Sequence, residues 1–198
     1  MKLDELKAHL KPGRVYRRAD LEQWSKSVDR HVQELVKSKV LQKLSQGLYY
    51  YSSQTVFGQT PPDEEILVQQ FLKDDRFLLM SPNLYNSLGV GTTQLYNKRV
   101  VYNHKRHGEF MLGKRTFSFF IKPHFPKKVT KEFLLVDLVN NLENLAEDKE
   151  QVLEKVYSKR QFFDVKKLER ATKNYGSVKT RKLLGKLLSA ESNTAYAI

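Results

Sequence analysis

The stretch Ser27–Tyr51, SVDRHVQELVKSKVLQKLSQGLYYY, begins like a capped helix and ends like a hairpin. Ser27 stands at the N-cap position, and Asp29 lies in the first turn, where a carboxylate stabilises the positive end of the helix dipole. Apolar residues recur at helical spacing on one side of the segment, which predicts an amphipathic helix. These residues are Val28, Val32, Leu35 and Val36, and the opposite side carries Arg30, His31, Gln33, Glu34 and Lys37.

A two-stranded hairpin is predicted directly after this helix. Val40–Leu44 reads as a short strand, and Ser45-Gln46-Gly47 supplies a turn with glycine where a positive φ is needed. Leu48–Tyr51 is rich in aromatic residues, which favour strands. The stretch is therefore a helix followed by a ribbon with a basic strand before its turn.

Two more helices are predicted before Ser27. Leucines between Leu3 and Leu10 form an apolar stripe on a first helix, which Pro12-Gly13 ends. Asp20 is the expected cap of a second, short helix. The order helix, helix, helix, hairpin is that of a winged helix-turn-helix, and residues 1–56 are therefore predicted to form one.

Such a domain reads DNA with its third helix, which fits a major groove about 12 Å wide, while the wing reaches the backbone or an adjacent groove. Arg30 and Gln33 are the candidates for base contacts, because Arg suits guanine and Gln suits adenine by bidentate geometry. His31 is a weaker candidate on the same helix. The other candidates for DNA contacts are Arg17, Arg18, Ser27, Lys37, Lys43, Ser45 and Gln46.

Two plainer interpretations stay open for this segment. The polar side of the helix is also what a solvated helix face looks like, and small winged-helix domains also serve protein contacts alone. Tyr49–Tyr51 fit a strand packed on the third helix better than a stacking surface. Residues 1–56 hold eleven Lys or Arg against six Asp or Glu, and this positive surplus favours the DNA-binding interpretation.

The composition of the whole chain of 198 residues restricts its partners and its chemistry. Its formal net charge of +13 favours a polyanionic partner through counterion release, without separating DNA from RNA or an anionic membrane. The absence of cysteine excludes thiol nucleophiles, disulfides and Cys-ligated zinc. No segment reaches the ~18 apolar residues that span a bilayer, and the first residues lack the apolar run of a secretion signal. A cytoplasmic protein without a membrane partner is expected.

Residues 57–198 predict a second, mixed α/β domain that ends in helices, so the fold class is α+β. Ser52–Pro62 is polar and ends in two prolines, which is typical of a linker. The predicted elements are a helix opened by Asp63 or Pro62, a strand Phe77–Met80, a helix begun by Ser81-Pro82, strands over Thr92–Lys122, a buried helix Thr130–Leu145, and helices over Gln151–Lys159, Asp164–Asn174 and Ser177–Leu188.

A second basic surface is predicted from this part of the chain. It is a candidate for an anionic partner, either nucleic acid or protein. Its residues are Lys98, Arg99, Lys105, Arg106, Lys179, Arg181, Lys182 and Lys186.

Catalytic and metal-binding alternatives are weaker. Gly89–Thr93 lacks the lysine and the strand-before-helix context of a phosphate-binding loop, so a helix stop is expected. His104 and His107 have no third metal ligand nearby in sequence. A metal nuclease would use Glu109, Glu132 and Asp137 with Lys122, but Asp137 lies in an apolar helix, where a buried hydrogen-bonding role is expected. No catalytic residue, metal or cofactor is predicted.

Several segments together resemble one family of bacterial proteins, the AbiEi-like antitoxins. The segments are SVDRHVQELVKSKVLQKLSQGLYY for the third helix and wing, FLLMSPNLYNSLGVGTTQLYN early in the second domain, TKEFLLVDLVNNL for the buried helix, and NYGSVKTRKLLGKLL near the end. Each segment is mainly a packing pattern. Their order and spacing along most of the chain carry the resemblance.

The resemblance implies an N-terminal DNA reader and a C-terminal antitoxin domain, encoded beside a nucleotidyltransferase-like toxin and associated with phage defence. Such proteins repress their own operon by binding double-stranded operator DNA, and many are described as acting without stable toxin contact. This chain departs from the family in a shorter C-terminal part and a helix face that is less rich in arginine. An RNA- or protein-binding adaptor is the alternative function, and a metal-dependent nuclease ranks below it.

Overall fold

The computed structural model describes residues 3–56 and 58–192, and its 47% helix and 20% strand make it a mixed α+β chain. The helices are α1 (Leu3–His9), α2 (Arg18–Glu22), α3 (Val28–Lys37), α4 (Glu64–Leu72), α5 (Lys131–Asn141), α6 (Lys149–Ser158), α7 (Val165–Tyr175) and α8 (Val178–Ser192). The strands are β1 (Arg14–Arg17), β2 (Gln42–Ser45), β3 (Leu48–Tyr51), β4 (Gln54–Thr55), β5 (Gly58–Gln59), β6 (Phe77–Met80), β7 (Arg99–Asn103), β8 (Gly108–Leu112) and β9 (Arg115–Ile121).

These strands form sheets with the orders β1-β3-β2, β4-β5 and β6-β7-β9-β8. Short 3-10 helices cover Pro82–Leu88, Leu142–Asn144 and Arg160–Phe162. Within the described residues, none of the helices combines the length and the apolar character that crossing a membrane requires. The chain divides into two compact units, described in turn.

The first unit contains the residues up to Phe77 together with Lys105–Phe119. Its helical core forms because α3 buries one apolar side, which includes Val32 and Leu35, against leucines of α1 and α2. Leu35 is 1% exposed, so its burial is worth about 2 kcal/mol. In the sheet, β3 pairs antiparallel with both β1 and β2, which places it in the centre.

The first unit extends beyond residue 56, where the sequence placed the end of the first domain. The reason is packing that joins distant segments. Phe71 on α4 contacts Phe110 and Phe119 with ring centroids 5.1 and 5.3 Å apart. The backbone N–H of Gly113 donates to the carbonyl of Leu44 over 2.7 Å. The segment after residue 56 and the β8–β9 hairpin therefore cluster with the N-terminal helices.

The second unit contains Leu78–His104 and the residues from Phe120 onward. At its centre, α5 buries every residue from Phe133 to Val139. The sequence predicted this burial from the missing polar face. Thr130 caps α5 by accepting a hydrogen bond from the backbone N–H of Phe133, and Asp164 caps α7 through the N–H of Lys167.

Three local predictions are wrong in detail, and a fourth is confirmed. Asp20 is not the cap of α2; it lies at the third helical position, where its carboxylate accepts from the backbone N–H of Arg17 over 3.0 Å. Residues 52–62 contain the β4–β5 hairpin rather than only a linker. The helix predicted to begin at Ser81-Pro82 is confirmed, and it is a 3-10 helix. Residues 92–98 are not strand, because the Asn83 side chain bonds the backbone N and O of Tyr96.

Candidate nucleic-acid interface

The exposed side of α3 carries most of the predicted base-reading residues. Arg30 has a side chain that is 72% exposed, and Gln33 and Lys37 are also exposed. These three positions fall on one stripe of the helix, because residues three or four apart share a face. Glu34 lies beside them, with an oxygen 3.7 Å from Arg30 Nε. The stripe therefore offers two cations, one amide and one carboxylate.

His31 does not belong to this exposed stripe. Its side chain is 2% exposed, and its Nδ1 atom is hydrogen bonded to Ser25 Oγ over 2.8 Å. The prediction that His31 contacts DNA is therefore wrong. The residue lies on the buried side because α3 is wound so that positions 28, 31, 32 and 35 face the core.

Ser27 occupies the N-cap position of α3, but its side chain makes no capping hydrogen bond. The neighbouring Ser25 shapes this end of the helix instead. Its Oγ accepts from the backbone N–H of Ser27 over 3.2 Å while bonding His31. The Ser27 side chain is exposed and remains beside Arg30 and Lys26, which line one shallow groove of about 310 Å³. Lys26 was missed by the sequence analysis because it precedes the helix.

Two of the predicted DNA contacts, Arg17 and Arg18, form ion pairs with carboxylates of the protein. Arg17 pairs with Asp20 at 2.9 Å. Arg18 makes two hydrogen bonds of 2.6 Å to the carboxylate of Asp29 and also pairs with Glu22. The hydrogen bonds from Arg18 lower the pKa of Asp29. Arg18 therefore ties α2 to α3, whereas Arg17 pairs within the first turn of α2, and carboxylates match both charges.

The remaining candidates lie on β2 and in the turn that joins β2 to β3. Lys43 and Gln46 are exposed, whereas Ser45 is half-buried. Gly47 has a φ of 69°, the left-handed conformation that the sequence predicted for this turn. The carbonyl of Gly47 accepts from the backbone N–H of Arg18 over 2.8 Å, so the turn is fixed to the start of α2.

A groove of about 580 Å³ in the first unit is lined by several of the predicted binding residues, which come from separate segments. Its lining residues, all of them described, include no Asp or Glu. Among the described residues, Ser45 Oγ has no hydrogen-bond partner. The guanidinium of Arg106 lies 4.5 Å from the ring centroid of Phe71. The lining residues are Arg17, Arg18, Ala19, Ser45, Gln46, Gly47, Leu48, Gln70, Phe71, Lys73, Arg106 and Phe110.

The residues of the predicted second basic surface are divided between the two units. Lys105 and Arg106 belong to the first unit, and the other six residues belong to the second. Lys105 pairs with Asp74 at 3.1 Å, and Lys179 pairs with Glu143. Lys98, Lys182 and Lys186 are exposed, Arg99 is half-buried, and Arg181 lines a separate pocket.

Asp137, one of the carboxylates that the nuclease alternative would use, is buried. Asp137 is 2% exposed and accepts hydrogen bonds from the hydroxyls of Tyr85 and Tyr102. Burial raises the pKa of Asp137, although the two hydroxyls oppose this effect. Burial and the nearby carboxylate also raise the pKa of both tyrosines. Among the described residues, no three His, Asp or Glu side chains are grouped as metal ligands.

Comparison of the chain with protein-family models, with curated proteins and with solved structures found no match.

Proposed function

We propose that the first unit contains a winged helix-turn-helix that binds double-stranded DNA, and that the chain is a non-catalytic antitoxin and autorepressor of its own operon. One observation carries the DNA-binding part. The helix α3 presents Arg30, Gln33 and Lys37 on the side away from its core, and the same unit holds the exposed turn between β2 and β3.

The topology supports the choice of α3 as the reading helix. The order α1, β1, α2, α3, β2, β3, with β3 between β1 and β2, is the order of a winged helix. In a helix-turn-helix the first helix of the pair crosses the DNA backbone and the second enters the major groove. These roles fall to α2 and α3, which Arg18 and Asp29 tie together.

The exposed side chains fall into two groups, those suited to base contacts and those suited to phosphate contacts. Arg30 and Gln33 are the side chains whose hydrogen-bonding patterns match guanine and adenine. Lys26, Lys37 and Lys43 are exposed cations suited to phosphates. Asp29 and Glu34 reduce the positive charge of this face, so affinity for random duplex is expected to be modest.

The antitoxin part rests on the resemblance of the sequence segments and on the DNA-binding proposal. An autorepressor needs an operator upstream of its own gene, and an antitoxin needs a toxin. A nucleotidyltransferase-like reading frame beside this gene, toxic when expressed alone and harmless with this chain, is the expected partner. Neutralisation without stable contact between the two proteins is compatible with this proposal.

The test is a comparison of two duplexes of equal length by fluorescence anisotropy, one from upstream of the gene and one of random sequence. Arg30→Ala is expected to weaken binding to the upstream duplex by about 1–3 kcal/mol, or roughly 5–150-fold, and to weaken random binding less. Arg170→Ala removes a guanidinium from α7 and serves as the matched control.

Unchanged upstream binding by Arg30→Ala would refute the role of α3. Preference of the wild-type chain for single-stranded RNA over both duplexes would replace the repressor with an RNA-binding adaptor. Equal losses in Arg170→Ala and Arg30→Ala would show that only total charge matters.

A further inference from the structure

The second unit contains a pocket of about 620 Å³ that the DNA-binding proposal does not use. It lies where the chain leaves β7, at the end of α7 and at the start of α8. Its volume falls within the range of about 300–1,000 Å³ that is usual for small-molecule sites. The lining residues are His104, Pro123, His124, Phe125, Lys173, Asn174, Tyr175 and Arg181.

The charges around this pocket all have one sign. Lys173 and Arg181 contribute permanent cations, and His104 and His124 contribute imidazoles. The eight lining residues, all within the described part of the chain, include no carboxylate. A concave surface with cations of one sign concentrates anions, and a guanidinium binds phosphate oxygens with paired N–H donors. The expected ligand therefore carries phosphate.

One wall of the pocket contains a pair of stacked aromatic rings. The rings of His104 and Phe125 are stacked with centroids 4.7 Å apart and planes at 27°. Phe125 packs against the hydrophobic core of the unit, which holds the stack in place. The exposed face of such a pair suits a planar ring such as a nucleobase, which stacks on it.

The cationic side of the pocket is held by the corner between α7 and α8. Asn140 bonds this corner twice: its Nδ2 donates to the carbonyl of Tyr175 over 2.9 Å, and its Oδ1 accepts from the N–H of Ser177 over 2.8 Å. At Gly176 an added Cβ would lie 2.5 Å from the carbonyl oxygen of Thr172, so the backbone is tightly packed there. The backbone that carries Lys173 and Arg181 is thus positioned before any ligand arrives, which reduces the entropy lost on binding.

We propose that this pocket binds a nucleotide, with its phosphate at Lys173 and Arg181 and its base near the stack of His104 and Phe125. The nucleotide is either free or a unit of a single strand. A base within duplex DNA is already stacked and paired, so it does not fit the aromatic wall. The site is independent of the DNA-binding face on α3.

Isothermal titration calorimetry of the full chain tests this site with four probes: ATP, AMP, inorganic phosphate and an eight-nucleotide single-stranded RNA. The wild-type chain is expected to bind at least one of the nucleotide probes more tightly than inorganic phosphate. Tighter binding of ATP or AMP identifies a free nucleotide, and tighter binding of the RNA identifies a strand. Arg181→Ala should weaken binding of the preferred probe at least 10-fold.

Two controls separate the pocket from general charge. Arg170→Ala removes a guanidinium from α7 outside the pocket lining and should leave binding within 2-fold of the wild type. His104→Ala should weaken the preferred nucleotide probe while leaving inorganic phosphate unchanged. The proposal fails if no nucleotide probe binds, if Arg170→Ala and Arg181→Ala lose equal affinity, or if inorganic phosphate binds as tightly as every nucleotide.

Discussion

Replacement of Asp137 by alanine is expected to destabilise the second unit strongly. The carboxylate accepts a hydrogen bond of 2.7 Å from Tyr85 and one of 2.9 Å from Tyr102. Both hydroxyls lie in the core, where these tyrosines are 3% and 4% exposed. Alanine leaves both donors without their acceptor, at about 1–3 kcal/mol each, so the total loss is about 2–6 kcal/mol. For a chain of this size, the corresponding fall in Tm is about 5–20 °C.

Urea denaturation followed by circular dichroism measures this loss. Asp137→Asn should lose less stability than Asp137→Ala, because its amide oxygen still accepts. Glu154→Ala removes an exposed carboxylate from α6 and should change the free energy of unfolding by less than about 0.5 kcal/mol. An Asp137→Ala variant as stable as the wild type would contradict the assignment of Asp137 to a buried hydrogen-bond network.

The pH dependence of the same variants has a definite sign. Burial raises the pKa of Asp137 above its ordinary value of 3.8. Between 3.8 and that raised pKa, the folded state holds a proton that the unfolded state has lost, so stability falls as pH rises. Relative to Asp137→Asn, the wild type should therefore be most stable below pH 3.8 and reach a lower plateau above the raised pKa. A difference that grows with pH would refute this.

Three further outcomes concern the first unit. Lys43→Ala should weaken upstream and random duplex alike and reduce the slope of log affinity against log salt by about 0.9; loss restricted to the upstream duplex would instead make it a base contact. Asp29→Asn should free Arg18 for phosphate and steepen the salt dependence on random duplex, and an unchanged slope would place Arg18 away from DNA. Ser25→Ala should lower the free energy of unfolding by about 1–3 kcal/mol, because His31 Nδ1 loses its buried partner, while the folded variant binds DNA as before; weakened DNA binding would contradict this.

The parts of the fold that depend on local sequence were predictable. Asp63, Thr130 and Asp164 cap the helices that they were expected to begin, because a capping side chain bonds only residues a few positions ahead. The burial of α5 followed from its lack of a polar face. The positive φ of Gly47 followed from turn chemistry.

The parts that depend on distant contacts were not predictable. β1 is too short to show alternation, and it exists because it pairs with β3 more than thirty residues later. The β8–β9 hairpin joins the first unit through Phe71, a contact that no local pattern encodes.

In the candidate interface too, local sequence predicted some features, whereas others depend on contacts with other segments. Helical spacing places Arg30 and Gln33 on the exposed side, but it did not separate His31 from them, because position 31 lies at the edge of the apolar stripe. A histidine at that edge can be exposed or buried. His31 is buried, where Ser25 Oγ is its hydrogen-bond partner. Arg17 and Arg18 look available in sequence, yet carboxylates on α2 and α3 bind them.

Mapping of backbone amide shifts by NMR, on adding the upstream duplex, tests the DNA-binding account most directly. The largest changes are expected over Lys26–Lys37 and over Lys43–Gly47, with the buried α5 unaffected. Saturable binding whose largest changes lie outside both segments would contradict it, as would the absence of any change at an excess of duplex in low salt.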